Sequence, residues 1–254
     1  MGRRLRVPCP VRPRASVAAD RMQVIPSIDV ENGRSRLVFW PGAGRGEGTP
    51  TDRPERIARH FVERGAPLVH VVDLDGARAG QPVNTAAIEA IARAVATPLQ
   101  VAGGIDGPEQ IELAFAAGAT RVVMPLAAVA EEPERLAASL RVAGQWLAVG
   151  LDARPDRLRE YPWRASAPPR LEELVKRLAE AGVARVVLAH ADPSAAGELL
   201  PRLRGLGLTI LVAGGISDVE AVTSLRAAGV DGLILGEALL SGRLDFEAAK
   251  AAAA

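Results

Sequence analysis

One short pattern occurs twice in this chain and restricts its fold more than any other feature. Leu99-Gln100-Val101-Ala102-Gly103-Gly104-Ile105 is one copy, and Ile210-Leu211-Val212-Ala213-Gly214-Gly215-Ile216 is the other. Each is an apolar run ending in a glycine pair, followed by a helical pattern that closes on Ala-Ala-Gly. Val101 and Val212, Gly103 and Gly214, and Gly118 and Gly229 are each 111 positions apart. A fixed period of that length implies two related halves. The glycine pair falls where a buried strand hands over to a helix. Lacking a Cβ, the backbone there can turn tightly and approach a ligand closely. The amides that open the next helix then face an anion, typically a phosphate. A phosphate loop repeated on a βα unit points to a substrate with a phosphate at each end.

The rest of the chain fits that reading. Val/Ile/Leu runs recur at 24–28, 68–72, 99–102, 121–124, 146–151, 185–189, 208–213 and 232–235. Amphipathic stretches lie between them at about 52–65, 84–95, 107–117, 132–143, 170–181, 194–205, 217–228 and 244–253. Apolar runs alternating with helical patterns imply βαβ units and a parallel sheet. Eight of each within 23–254 predict a closed (β/α)8 TIM barrel with an internal twofold half-barrel repeat. An open doubly wound sheet is the other arrangement such a pattern allows. Residues 1–22, rich in Arg and Pro and without periodicity, read as a disordered extension or as an Arg-rich transit peptide.

Bulk properties remove several function classes. A net charge of +1 with interspersed signs argues against a nucleic-acid or membrane-surface partner. A single cysteine, Cys9, excludes an intrachain disulfide and fits a reducing, cytoplasmic setting. The three histidines, His60, His70 and His190, lack metal-ligand spacing, so no metal is expected.

In a barrel of this type the chemistry sits where strands end and βα loops begin. The first strand ends Ile25-Pro26-Ser27-Ile28-Asp29, and the fifth ends Val149-Gly150-Leu151-Asp152. Each half thus offers one carboxylate at the mouth. Two facing carboxylates can serve as general acid and general base when their surroundings separate their pKa values; capping of a following turn is the plainer role for either. The long Gly-rich loop at 36–50 reads as a lid. Of Asp73 and Asp75, at most one faces the site, because alternate strand residues point to opposite faces. His70, inside an apolar run, reads as a hydrogen-bonded core or rim histidine. His190, at the end of the sixth run, is a possible site residue or part of a turn-capping His-x-Asp-Pro. Gly236, after the eighth run, lets a phosphate approach. Its counterpart Pro125 has no N–H to offer.

These residues carry a family likeness. Ile25-Pro26-Ser27-Ile28-Asp29, the segment His70–Ala77 with Pro82-Val83-Asn84, both Ala-Gly-Gly-Ile copies, Leu151-Asp152-Ala153-Arg154, Trp163 and Gly236–Leu240 resemble the phosphoribosylformimino-aminoimidazole carboxamide ribotide isomerases of histidine biosynthesis. The likeness runs from about 23 to 250. The resemblance implies a cofactor-free barrel that converts a bis-phosphorylated aminoaldose (ProFAR) into the aminoketose (PRFAR), an Amadori rearrangement; a monomer is expected. It makes Asp29 the general base and Asp152 the general acid. It gives one phosphate to Gly103 and Gly104, the other to Gly214, Gly215 and Gly236, and the imidazole carboxamide to the flat face of Trp163. Three loops depart from the family pattern: Phe39-Trp40-Pro41-Gly42 stands for Gln-Gly-Asp, Pro125-Leu126 for Gly-Ser or Gly-Thr, and Ala189-His190 with Pro193-Ser194-Ala195-Ala196 for a Thr followed by Arg-Asp-Gly-Thr. Two further readings therefore stand beside the first: a divergent isomerase or lyase acting on a mono-phosphorylated sugar, and a non-catalytic ligand-binding barrel.

Overall fold

The computed structural model describes residues 21–41, 49–154, 169–190, 200–203 and 205–254. The eight apolar runs are eight parallel strands: β1 (Gln23–Glu31), β2 (Val69–Asp73), β3 (Leu99–Ala102), β4 (Arg121–Pro125), β5 (Leu147–Asp152), β6 (Arg185–Ala189), β7 (Thr209–Ala213) and β8 (Gly232–Leu235). Each pairs with the next in sequence, and β8 pairs back onto β1 through Gln23–Pro26 and Gly232–Leu235, which closes the barrel. An antiparallel two-residue strand, Arg34–Ser35, extends β1 past the rim.

Helices α1 (Pro54–Glu63), α2 (Leu74–Ala79), α3 (Thr85–Ala94), α4 (Pro108–Ala116), α5 (Pro133–Ala143), α6 (Leu171–Glu180), α7 (Val219–Ala228), α8 (Glu237–Leu240) and α9 (Phe246–Ala253) follow the strands. Their ends obey local chemistry. α1, α4 and α5 begin on proline, whose missing N–H costs nothing in the first turn. Asp218 and Asp245 cap α7 and α9 by accepting from the amides of Ala221 and Ala248. Gly229, the last residue of the second repeat copy, closes α7 in a left-handed conformation.

Strand alternation sorts the side chains into two shells. Ile25, Leu68, Val123, Ala148, Val187, Leu211 and Ile234 fill the barrel interior. Val24, Ile28, Val30, Val71, Val101, Leu147 and Val212 face outward and pack with Ile57, Ile88, Ile91 and Ile111 of the helices. The same alternation that puts Ile25 inside puts Ser27 and Asp29 inside, further up β1. The alternation that puts Ala148 inside does so for Gly150 and Asp152.

Two local features were not legible from the periodicity. α2 is an extra turn of helix directly after β2. The long loop after β1 rests its stem on α1: Phe39 is buried, its ring centroid 4.7 Å from His60 and 5.3 Å from Phe61, and its backbone pairs with Thr51. The lid expectation falls on the tip, 42–48, outside the described residues.

Candidate active site

The mouth is built from strand ends. Asp29 lies in register with Val72 on β2, and Asp152 with Ala189 on β6. β1 and β5 are four strands apart in an eight-stranded ring, so the two carboxylates rise from opposite walls. Of the inward positions at the top, Ala102, Gly150, Ala189 and Ala213 are small, beside the larger Val72 and Pro125.

The two carboxylates sit in opposite electrostatic settings. Burial raises the pKa of Asp29, and the Arg36 cation only partly offsets this. Asp152 is pushed below the usual carboxylate range, chiefly by hydrogen bonds from Arg154. Nε of Arg154 donates to Oδ1 at 2.9 Å, Nη2 donates to Oδ2, and the Arg154 amide adds a third bond at 3.1 Å. The positive form of His190 lowers Asp152 further. At the mouth a proton therefore favours Asp29 and the charge favours Asp152. Such separation of two carboxyl groups is what acid–base chemistry requires, although its sense here is opposite to the roles the resemblance gives them.

The glycine pairs adopt matching left-handed backbones: φ is +94° and +72° at Gly103 and Gly104, and +77° and +76° at Gly214 and Gly215. Among the described residues, nothing accepts a hydrogen bond from any of these four amides. The surroundings differ between halves. A Cβ on Gly103 would lie 2.1 Å from the Asp73 carbonyl oxygen, and one on Gly104 would lie 2.5 Å from that of Gln81. Among the described residues, a Cβ on Gly215 would meet nothing within 4 Å, and one on Gly236 would make only ordinary contact with Ser27. The first pair is therefore pressed against the 73–81 segment, whereas in the second Gly214 borders His190 and, among the described residues, nothing crowds Gly215. Pro125 sits at the end of β4 with Leu126 buried behind it.

The segment against the first pair is held by Asp73. Its fully buried carboxylate accepts from the amides of Gly76, Val83 and Asn84 and from Asn84 Nδ2, at 2.6–2.8 Å. Asp73 lies on the outer face of β2 and Asp75 lies on α2, so neither faces the barrel interior. His70 does point inward, lower down. Gln100 Nε2 lies 3.0 Å from its Nδ1, while Gln100 Oε1 accepts from Arg121 at 3.0 Å. With its oxygen taken, Gln100 donates to the ring, which keeps His70 neutral; burial lowers its pKa to about 4. It is a core histidine. Trp163 lies outside the described residues. Away from the mouth, a pocket of about 340 Å³ between α1 and the loop stem holds neither carboxylate. Among the described residues no three metal-ligating side chains converge, and no helix is long and apolar enough to cross a membrane.

With a two-carboxylate mouth and two glycine loops in place, comparison with known proteins becomes informative. A family model described as histidine biosynthesis protein matches residues 23–245. The chain belongs to that family. Curated members resemble it over most of its length. One from Roseiflexus castenholzii is 37% identical over 240 residues, covering 91% of this chain and 99% of the relative. One from Moorella thermoacetica is 37% identical over 242 residues, covering 92% and 99%. One from Gloeothece citriformis is 36% identical over 238 residues, covering 90% and 91%. All three are named 1-(5-phosphoribosyl)-5-((5-phosphoribosylamino)methylideneamino) imidazole-4-carboxamide isomerase. Within this histidine biosynthesis family, two residues that the sequence reading gave no role stand close to the carboxylates. Arg154 clamps Asp152, and Arg36 acts electrostatically on Asp29. Their signal was a cation two residues after one acid and another shortly after the other.

Proposed function

We propose that this chain catalyses the reaction for which those relatives are named, the rearrangement of the bis-phosphorylated aminoaldose to the aminoketose. The observation that carries the reading is the pair of carboxylates on opposite walls of one barrel mouth, with a glycine pair in each half whose amides have no acceptor among the described residues. Asp152, protonated, gives its proton to the ribose ring oxygen as the C1–O bond breaks, leaving an imine at C1. Asp29 removes the C2 proton, and the electron pair moves to form the enolamine. Asp29 returns its proton to C1 while the C2 hydroxyl gives its own back to the Asp152 carboxylate, which forms the ketone, restores both side chains and leaves no atom gained or lost. The Arg154 clamp must loosen before Asp152 can hold a proton, and a phosphorylated substrate supplies the competing anion. Gly103 and Gly104 take one phosphate and Gly214, Gly215 and Gly236 the other, fixing the sugar between the acids. Trp163 stacks on the imidazole carboxamide. All these groups come from one chain, which supports a monomeric enzyme, and a charged sugar substrate supports a cytoplasmic one. No cofactor enters the scheme.

The test is direct. Purified full-length protein is incubated with the synthesised aminoaldose, and product is followed by chromatography. Formation of the aminoketose is expected. A folded protein that leaves the aminoaldose unchanged would falsify the proposal.

A further inference from the structure

Two of the three histidines are accounted for by packing. His60 stacks edge-on against Phe39 and Phe61, and His70 is buried in the barrel interior. His190 is different. It is exposed, lies at the end of β6, and is one of two residues other than glycine with a positive φ among those described, at +55°. A side chain in that region is strained, and such strain persists where surrounding structure enforces it. Here the His190 amide donates to the Ala213 carbonyl at 2.7 Å.

The turn has a consequence for the ring. A Cβ built on Gly214 would lie 3.0 Å from His190 Nδ1 and 3.2 Å from Cε1, so the imidazole lies along the edge of the second glycine pair. Ala189, the residue before it, is in register with both Asp152 and Ala213. His190 thus stands one step above them, between the Asp152–Arg154 ion pair and the Gly214–Gly215 turn. Among the described residues, nothing lies within 4 Å of a Cβ built on Gly215 and nothing accepts from the amides of the pair. Amides alone present only partial charges to a phosphate, and an ionised donor binds it more strongly. Arg154, the nearby cation two residues past the end of β5, is hydrogen-bonded to Asp152.

We propose that His190, as an imidazolium, is the cation of the second phosphate cradle, donating to an oxygen of a phosphate monoester held on the amides of Gly214 and Gly215. It is a substrate-contacting specificity residue, and its charge also stands between that phosphate and Asp152. This rests on the reading that the ligand is a sugar phosphate, and deepens it.

The test uses the full chain. Ring signals of the three histidines are followed by NMR at a fixed, mildly acidic pH, with inorganic phosphate in one titration and ribose 5-phosphate in another. Burial holds both His60 and His70 down at about 4, so they serve as internal controls. The expected result is a saturable shift of the His190 ring with both probes, no shift of the other two, and none with chloride at equal ionic strength. In His190→Gln, phosphate affinity read on the Gly214 and Gly215 amides falls about tenfold or more, the size of one lost charged hydrogen bond. With the aminoaldose, KM rises by a similar factor while kcat stays within about threefold, because the lost contact is present in ground and transition states alike. A His190 ring unmoved by either probe, or undiminished phosphate affinity in the variant, overturns the proposal. Turnover of the aminoaldose with an unmoved His190 sinks this inference alone. A shifted His190 without turnover sinks the proposed reaction alone.

Discussion

Asp29 and Asp152 differ in what folding does to their charge, and this separates their variants even without substrate. The buried Asp29 carboxyl has a folded-state pKa above its ordinary 3.8. The folded protein binds its proton more tightly than the unfolded chain, so its contribution to stability falls as pH climbs through that range. Asp29→Asn removes the ionisation and is expected to raise Tm at neutral pH. Asp152 is the reverse case. Its lowered pKa stabilises the fold above the unfolded value, and that stability is lost as pH falls. Asp152→Asn is expected to leave Tm unchanged or slightly lower, because the Arg154 partner is 41% exposed and the ion pair is screened. Both variants should lose about 10²–10⁴-fold in kcat, the usual worth of a positioned acid or base. Thermal unfolding and single-turnover assays on the same preparations check both halves. An Asp29→Asn protein that is less stable at neutral pH would mean its carboxylate is paired in solution.

At the scale of elements, the two glycine pairs predict unequal costs for the same mutation. Gly103→Ala drives a Cβ to 2.1 Å from the Asp73 carbonyl, where only backbone can give way, whereas Gly215→Ala meets nothing within 4 Å among the described residues, at a similar φ. Gly215→Ala should cost about 1 kcal/mol, the strain of a left-handed alanine. Gly103→Ala should cost several times that or fail to fold. Replacing the Asp73 carboxylate by Ala leaves the amides of Gly76, Val83 and Asn84 unanswered in a buried place, for which about 3–5 kcal/mol is expected. Urea unfolding of the three variants ranks them. The strands themselves were plain in the sequence, because a parallel barrel strand is buried on both faces and reads as an unbroken Val/Ile/Leu run. The paired Asp residues were plain too, since duplication puts them at matching strand ends. The first glycine pair was read from its composition as a ligand loop, but composition does not reveal that Asp73 and Gln81 press on it. Nor does alternation alone identify α2, which depends on an N-cap at Asp73 held by amides ten and eleven residues away. The left-handed turn at His190 was equally hidden, because no residue type there demands it.

For the whole molecule, the interior of the barrel decides how the protein meets acid. Most of that interior is aliphatic, and among its polar groups the chain from His70 through Gln100 to Arg121 runs across β2, β3 and β4. Gln100 already donates to Nδ1, so a protonated ring would set two donors against each other. The cation of Arg121 would also face a second positive charge. The folded pKa of about 4 against an ordinary 6.5 fixes the sign. Above 6.5 neither state binds the proton and the contribution is complete; between 6.5 and 4 the unfolded chain takes up a proton that the barrel refuses. Stability should therefore fall with pH across that window, by on the order of 3 kcal/mol from this residue. Asp29 acts in the opposite direction as it gains its proton, and half-exposed His60 acts in the same direction with less weight, so the total slope is not the right measure. The difference between wild type and His70→Gln is the right measure, because glutamine keeps an acceptor for Gln100 and cannot titrate. Urea unfolding at pH 7, 5.5 and 4 should show the wild type losing its advantage over the variant stepwise. An advantage that stays constant with pH would mean that water reaches the ring and that the barrel is wetter inside than its packing indicates.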